Sequence, residues 1–128
     1  MLKTLEDNKE LLQFNAEGVD PGEIWTEACV ACKVAVEEYM MKHGEPLYCG
    51  FANVKIRPAR GSFVKFLKKV GIGSLGYNGG WRVSYYDMMD DHKMCGTQSM
   101  DLKEEGCQAF ANVLKKYGIE AYMESRAD

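Results

Sequence analysis

Three segments of the chain alternate hydrophobic and polar residues, and this period of two predicts strands with one buried face. The segments are GFANVKIR (50–57), WRVSYYD (81–87) and IEAYME (119–124). In the first segment, the polar face ends in the cations Lys55 and Arg57. Pro58 cannot donate a hydrogen bond to a strand ladder and favours an extended residue before it, so we expect this strand to end at Arg57.

Three other segments repeat hydrophobic residues at spacings of three and four, which predicts amphipathic helices. They run from Glu23 to His43, from near Phe63 to Val70, and from Asp101 to the residue before Gly118. Gly61 and Ser62 precede the second helix, where glycine can turn the chain and serine can cap the helix. Asp101 and Glu104 have the spacing of a capping box at the start of the third helix.

Helices and strands alternate along the chain, which predicts an α+β fold in two layers, a three-stranded, mostly antiparallel sheet with three helices on one face. With 128 residues, the chain can bury one core, and we assign residues 23–128 to a single domain. Residues 1–22 form a short helix or an arm that orders against a partner chain. One sheet face and two edges stay uncovered, so we expect a homo-oligomer.

The charge balance limits the classes of partner. The formal net charge is −3 and the sequence pI is about 5.4, whereas proteins that bind nucleic acid or acidic membranes non-specifically are usually basic. No apolar run approaches the roughly 20 residues that span a bilayer, and the first residues lack a signal-peptide pattern. We therefore expect a cytoplasmic protein, with no membrane partner and with nucleic acid as an unlikely one.

The cysteine content suits reduced thiols better than a disulfide framework, because the five residues are odd in number and scattered. They are Cys29, Cys32, Cys49, Cys95 and Cys107. Cys29 and Cys32 form a C-x-x-C pair that could join Cys49, His92 and Cys95 in a zinc site. This pair lies in a predicted helix, so the favoured interpretation is small hydrophobic residues on a core face. We predict no metal and no cofactor.

A glycine-rich segment, GIGSLGYNGG (71–80), contains the pattern G-x-G-x-x-G. The dinucleotide-binding fingerprint requires a strand before this pattern and a helix after it. Here the predicted order is the reverse. The segment is therefore interpreted as a flexible loop with a turn at Asn78-Gly79.

Cations and aromatic rings on or beside the predicted sheet form the candidate ligand site. Arg57 and Arg60 flank the start of the second helix, whose free N–H groups favour anions. Guanidinium groups bind phosphate and rings stack on bases, so this composition predicts a small anionic nucleotide ligand. The predicted ligand-binding residues are Lys55, Arg57, Arg60, Trp81, Arg82, Tyr85, Tyr86 and Arg126. The alternative is that these side chains only form cross-strand pairs on an exposed face.

Four runs resemble a group of small proteins encoded by tailed bacteriophages, and the resemblance covers roughly residues Ala31 to Asp128. The runs are CGFANVKIRPARGSFVKFL, YNGGW, QSMDLKEEGCQAFANVLKKYGIEAY and the closing SRAD. The size, phage setting and α+β layout are similar to those of anti-defence sponge proteins, which inactivate the Thoeris system by sequestering its cyclic ADP-ribose signal. Some such sponges also hold cyclic oligonucleotides at a second site in a hexamer. The resemblance implies the host bacterial cytoplasm and a dimer or hexamer, and it supplies no site residue.

The resulting hypothesis is a phage anti-defence protein that binds and sequesters a nucleotide-derived immune signal, a cyclic ADP-ribose isomer or a cyclic oligonucleotide, without cleaving it. The alternative is a phage protein that inhibits a host protein by direct contact through apolar and basic surfaces. We predict that the protein is not an enzyme. His92 and Cys95 could form a base and a nucleophile, but the sequence shows no third partner, paired acids or metal cluster.

Overall fold

A computed structural model describes residues 19–43, 50–59, 61–76, 79–89 and 100–127. Four helices and four strands are found in these ranges. In chain order they are α1 (Pro21–His43), β1 (Gly50–Arg57), α2 (Ser62–Val70), β2 (Ser74–Leu75), β3 (Trp81–Ser84), α3 (Tyr85–Met88), α4 (Met100–Lys116) and β4 (Glu120–Ala127). Within the same ranges, every helix is too short or too polar to cross a bilayer.

The four strands form one antiparallel sheet in the order β2-β3-β1-β4. One face of β1 carries Ala52, Val54 and Ile56, which are buried in the core. We call this the helix face. The opposite face, which we call the open face, carries Asn53 and Lys55 of β1 and the residues paired with them. The α+β class and the antiparallel sheet are therefore as predicted.

The helix face is covered by a closely packed pair of helices. Ile24, Ala28, Cys32 and Val36 form the buried side of α1, and Leu102, Cys107, Phe110, Ala111 and Leu114 lie on the buried side of α4. The rings of Trp25 and Phe110 meet edge to face with centroids 5.4 Å apart. Glu27 of α1 accepts hydrogen bonds from Lys116 and from Tyr117, which ties the helix pair together at one end.

The prediction of three strands and three helices is wrong by one element of each kind. Part of the glycine-rich segment forms the short edge strand β2, and the strand predicted over 81–87 ends three residues early, at Ser84. Ser84 ends it because its side chain accepts a hydrogen bond from the Asp87 backbone N–H, while the Asp87 carboxylate accepts one from the Ser84 backbone N–H. This capping box starts α3 at the point where the alternating pattern predicted more strand.

Helix starts also differ from the sequence prediction. Gly61, with φ at 105°, is the N-cap of α2, and no side chain caps this helix, so the predicted cap by Ser62 is wrong. Asp101 lies inside the first turn of α4, and Glu104 accepts a hydrogen bond from Ser125 Oγ. Helix α1 starts two residues before the predicted Glu23, because the Asp20 side chain accepts a hydrogen bond from Gly22 N–H.

Some predictions concern residues outside the described ranges. They include residues 1–18 of the predicted arm, Asn78 of the predicted turn, and Cys49, Arg60, His92 and Cys95.

Candidate functional site

A cavity of about 650 Å³ lies on the open face, at the end of the sheet where β1 begins and where β3 and β4 finish. Residues paired across neighbouring strands share a sheet face, so side chains from three strands converge there. The wall includes Phe51, Asn53, Arg82, Ser84, Glu124 and Arg126 from the strands and Tyr86 and Asp87 from α3. The volume is in the range of small-molecule sites, roughly 300–1,000 Å³.

Two arginines give the cavity its cationic character. Arg82 and Arg126 are both exposed, and neither makes a salt bridge to any residue in the described part of the chain. Arg126 lies over the ring of Phe51, with its guanidinium carbon 5.7 Å from the ring centroid. A guanidinium group presents a planar fork of donors that matches carboxylate or phosphate oxygens. The cavity therefore offers two such forks to an anion.

The two carboxylates in the wall already have partners. Asp87 Oδ2 accepts hydrogen bonds from Ser84 N at 3.0 Å and from Ser84 Oγ at 3.1 Å. Glu124 Oε2 lies 3.9 Å from Lys55 Nζ. Lys55 partly offsets the charge of Glu124, whereas the donors to Asp87 are neutral and leave its charge in place, so Glu124 opposes the binding of an anion less than a free carboxylate would.

Two aromatic rings line the cavity beside the arginines. Phe51 and Tyr86 are each 42% exposed. Lys103, from α4, lies behind both rings, with Nζ at 5.4 Å from the Phe51 centroid and 4.9 Å from the Tyr86 centroid. Its side chain is fully buried, and Nζ donates a hydrogen bond of 2.7 Å to the Tyr86 hydroxyl oxygen. The rings thus separate a buried cation from the cavity.

Asn53 lies at the centre of the wall, opposite Ser84 on one side and Glu124 on the other. Its Oδ1 atom is buried and has no hydrogen-bond partner among the described residues. An unsatisfied buried acceptor costs about 1–3 kcal/mol. Such groups are rare in folded proteins and concentrate at functional positions.

Of the eight predicted ligand-binding residues, Arg82, Tyr86 and Arg126 line the cavity. Lys55 shares the open face with Arg82, but it is only 4% exposed. Gly76 and Gly80 cover it, so closely that a Cβ atom on either glycine would lie 3.1 Å from the Lys55 side chain. These two glycines therefore keep Lys55 from the surface of the open face.

Arg57 and the turn after it lie away from the cavity. Four residues separate Arg57 from Asn53 along β1, a span of about 13 Å. The Arg57 guanidinium carbon is 6.0 Å from the ring of Tyr122, and Lys68 Nζ donates to the Ala59 carbonyl oxygen at 3.2 Å. The structure thus does not bring the start of α2 to the cavity, and Arg60 lies outside the described residues.

Trp81 and Tyr85 are placed on the other side of the sheet. Trp81 pairs in register with Ile56 of the helix face, and its Nε1–H donates to the Ile72 carbonyl oxygen at 3.0 Å. Lys68 Nζ lies 5.2 Å from its ring centroid. Tyr85 is fully buried in the core. Neither Trp81 nor Tyr85 therefore reaches the cavity. The aromatic rings that line it belong to Tyr86, which was predicted, and to Phe51, which was not.

Cys32 and Cys107 are buried in the core, and Cys29 is half-buried beside them. Burial raises the pKa of the Cys32 thiol to about 12, and burial also raises the pKa of Cys107 well above its usual value. In the described part of the chain, no three His, Cys, Asp or Glu residues are placed to hold a metal ion. The buried thiols agree with the interpretation of C-x-x-C as core residues.

A second cavity, of about 450 Å³, lies where α1 meets α4. Its wall includes Asp101, Glu104 and Glu105 together with Tyr39. Burial, followed by the charges of these carboxylates, raises the pKa of Tyr39. A site with three acidic groups disfavours anions, so the open-face cavity is the better candidate for the predicted ligand.

No protein-family model, curated protein or solved structure matches the chain, so the residues and geometry of the cavity carry the functional inference.

Proposed function

We propose that the protein binds a small anionic nucleotide-derived ligand in the open-face cavity and holds it without cleaving it. One observation carries this proposal: Arg82 and Arg126, which have no carboxylate partner among the described residues, share a cavity with the exposed rings of Phe51 and Tyr86. Guanidinium forks suit phosphate groups, and aromatic faces suit bases. A nucleotide-derived molecule carries both features.

Sequestration rather than cleavage is supported by the side chains in the cavity wall. None of the described wall residues is a histidine or a cysteine, the commonest base and a common nucleophile. Asp87 and Glu124 are the acidic groups, and both already interact with protein donors. These residues therefore favour holding a ligand over activating water against it.

For the biological role, we propose a phage anti-defence protein acting in the host bacterial cytoplasm. Its ligand would be a nucleotide-derived immune signal, either a cyclic ADP-ribose isomer or a cyclic oligonucleotide. The support is the resemblance of the sequence runs to phage proteins, together with a cavity lined by two arginines in a chain whose net charge is −3. In such a chain, a local cationic site points to a specific anion rather than to general attraction.

A calorimetric titration tests this proposal with cyclic ADP-ribose isomers and with cyclic di- and trinucleotides. We expect at least one of them to bind, and chromatography after heat denaturation to return it unchanged. Absence of binding across the whole set would rule the proposal out. Recovery of a cleaved product would instead indicate an enzyme.

We further propose that the chain forms a homo-oligomer, a dimer or a hexamer. Val30, Val34 and Met41 are exposed on one side of α1, and Met41 is 87% exposed. Strand β4 pairs only with β1, so the outer edge of its eight residues is unpaired within the described sheet. Light scattering coupled to gel filtration gives the mass, and a mass equal to one chain at micromolar concentration would contradict this proposal.

The exposed side of α1 also favours the second candidate function, inhibition of a host protein by direct contact. An apolar stripe on a helix is a common docking surface for a partner protein. Affinity capture from host lysate distinguishes contact with a host protein from self-association, when the wild-type protein is compared with a variant that carries both Val30→Glu and Val34→Glu. A host protein retained only by the wild type would favour inhibition by contact, whereas a variant that changes only the oligomer mass would favour self-association.

A further inference from the structure

Lys103 occupies a position where a hydrophobic residue is expected. It lies on the buried side of α4, four residues before Cys107 and seven before Phe110, and none of its side chain is exposed. Burying an ammonium group is costly unless its hydrogen bonds are provided inside the protein, and lysine is almost never fully buried. A buried lysine directly behind a cavity is therefore a candidate for a role in that cavity.

The geometry connects Lys103 to the cavity through a wall residue. Nζ donates to the Tyr86 hydroxyl oxygen at 2.7 Å, and the Tyr86 ring lies in the wall. Nζ is also 5.4 Å from the Phe51 ring, and Arg126 lies 5.7 Å from the same ring. Phe51 thus has a cationic group near it from the core and another from the cavity, and these two contacts hold its ring in place.

The direction of this hydrogen bond determines what Tyr86 can offer to a ligand. An ammonium group only donates, so the Tyr86 oxygen must be the acceptor. The Tyr86 O–H proton is then available for an acceptor elsewhere, and no acceptor for it is found among the described residues. A hydroxyl that accepts a hydrogen bond from a cation becomes a stronger donor, because hydrogen bonds in a chain polarise one another.

We infer that Lys103 is a buried positioning residue of the site, which presents the Tyr86 hydroxyl as a donor to a phosphoryl oxygen of the ligand. This inference rests on the proposed function and deepens it, because it assigns the end of the cavity between Tyr86 and Arg126 to a phosphate group. The subsite combines one polarised O–H with the guanidinium forks of Arg82 and Arg126. All three groups donate, so the subsite selects an oxyanion over a neutral group.

Inorganic pyrophosphate is the probe that tests the subsite without a base. We expect calorimetry to show binding to the wild-type protein and a loss of about tenfold or more for Tyr86→Phe, as removal of a hydrogen bond to a charged group predicts. Lys103→Met keeps the length of the side chain and should lose a similar factor. Lys69→Met removes the same charge at an exposed position that does not line the cavity, and it should leave binding unchanged.

The double variant distinguishes positioning from a purely structural role. If Lys103 acts through the Tyr86 hydroxyl, Lys103→Met should cause no further loss in the Tyr86→Phe background. The inference would be overturned if Lys103→Met caused its full loss of affinity in the Tyr86→Phe background as well. It would also be overturned if Lys69→Met lost as much affinity as Lys103→Met, or if the wild type did not bind pyrophosphate. If Lys103→Met does not fold, full retention of pyrophosphate affinity by Tyr86→Phe overturns it alone. Pyrophosphate binding without binding of any nucleotide would leave the subsite valid and remove the proposed function.

Discussion

The strand register places Arg82 and Arg126 on the same face of the sheet. Arg82 pairs with Lys55 on one side of β1, and Arg126 pairs with Phe51 on the other side of the same strand. The two guanidinium groups therefore belong to different strands and meet at one end of the open face, where the described carboxylates are already occupied.

The first prediction compares arginines on the same sheet face. Arg82→Ala combined with Arg126→Ala should weaken binding of the nucleotide ligand by about 100-fold or more, since each lost charged hydrogen bond is worth about 1.5–3 kcal/mol. Arg57→Ala should retain the wild-type affinity, because Arg57 lies on the same face but outside the cavity. Calorimetry measures the affinity of both variants for whichever nucleotide the titration of the wild-type protein identifies. Equal loss in the two variants would point to a general charge effect.

At the scale of single residues, the sequence predicted only part of the candidate site. The alternating pattern put Lys55 on the polar face of its own strand and Arg82 with Tyr86 on the polar face of the next, and the pairing of Lys55 with Arg82 shows that these two residues share one sheet face. It could not show that the glycine-rich segment covers Lys55, because that depends on how a loop folds over the sheet. Lys103 was missed, although its spacing from Cys107 and Phe110 is that of the buried stripe. A charged residue at a position of the buried stripe is the sequence feature by which Lys103 could have been identified.

Helices α1 and α4 approach so closely at Gly106 that a side chain there would displace its neighbours. A Cβ atom on Gly106 would lie 2.8 Å from Cys32 Sγ and 2.9 Å from Val36 Cγ2. In an open helix, a change from glycine to alanine stabilises by roughly 0.5–1 kcal/mol. Here the steric overlap opposes that gain, and extra methyl groups in a full core cost about 1–3 kcal/mol.

We therefore predict that Gly106→Ala lowers the free energy of unfolding by about 1–2 kcal/mol, as measured by urea denaturation. Adding Cys32→Ala removes the nearer clashing atom and should recover part of the loss. Independent losses in the double variant would show that the two positions do not contact each other. A stabilised Gly106→Ala protein would contradict the close packing of the two helices.

A further prediction concerns Glu27, which connects the same two helices. Its hydrogen bonds with Lys116, and then with Tyr117, lower the pKa of the Glu27 carboxyl below its ordinary value of 4.5. A lowered pKa in the folded state gives stability that is present above pH 4.5 and is lost as the pH falls through the folded value. Glu27→Gln should therefore flatten the dependence of stability on pH below about 4.5.

Urea denaturation between pH 3 and pH 7 measures this dependence. Glu37→Gln, on the same helix, is the control because it removes a similar charge from an exposed side chain that has no ion pair or hydrogen bond to another described residue. An identical pH dependence for the wild type and Glu27→Gln would mean that this connection contributes nothing in solution.

Elements were predicted well where one periodicity ran without interruption. The helix over 21–43, the strand over 50–57 and the helix over 62–70 agree with the predicted segments to within two residues. The prediction was wrong where a local side-chain hydrogen bond competes with the pattern. Ser84 and Asp87 form a capping box inside an alternating run, and the S-x-x-D spacing was the signal for it.

At the scale of the molecule, the described residues form a sheet covered by helices on one face, with the candidate site on the other. The order of elements was sufficient to predict the α+β class and one antiparallel sheet. It was not sufficient to place the site, since the cavity arises where residues of all four described strands, the α2–β2 connection and a four-residue helix meet. The predicted anion site at the start of α2 used local sequence only, and the strand geometry moved the candidate to the opposite end of β1.

The most direct test of the account is mass spectrometry of small molecules released by heat from protein purified out of bacteria that produce the immune signal. We predict that the wild-type protein releases an intact phosphate-bearing nucleotide, at up to one molecule per chain, and that the variant with Arg82→Ala and Arg126→Ala releases none. Recovery of the same nucleotide from both proteins, or of no nucleotide from the wild type, would contradict the proposal that the open-face cavity sequesters such a ligand.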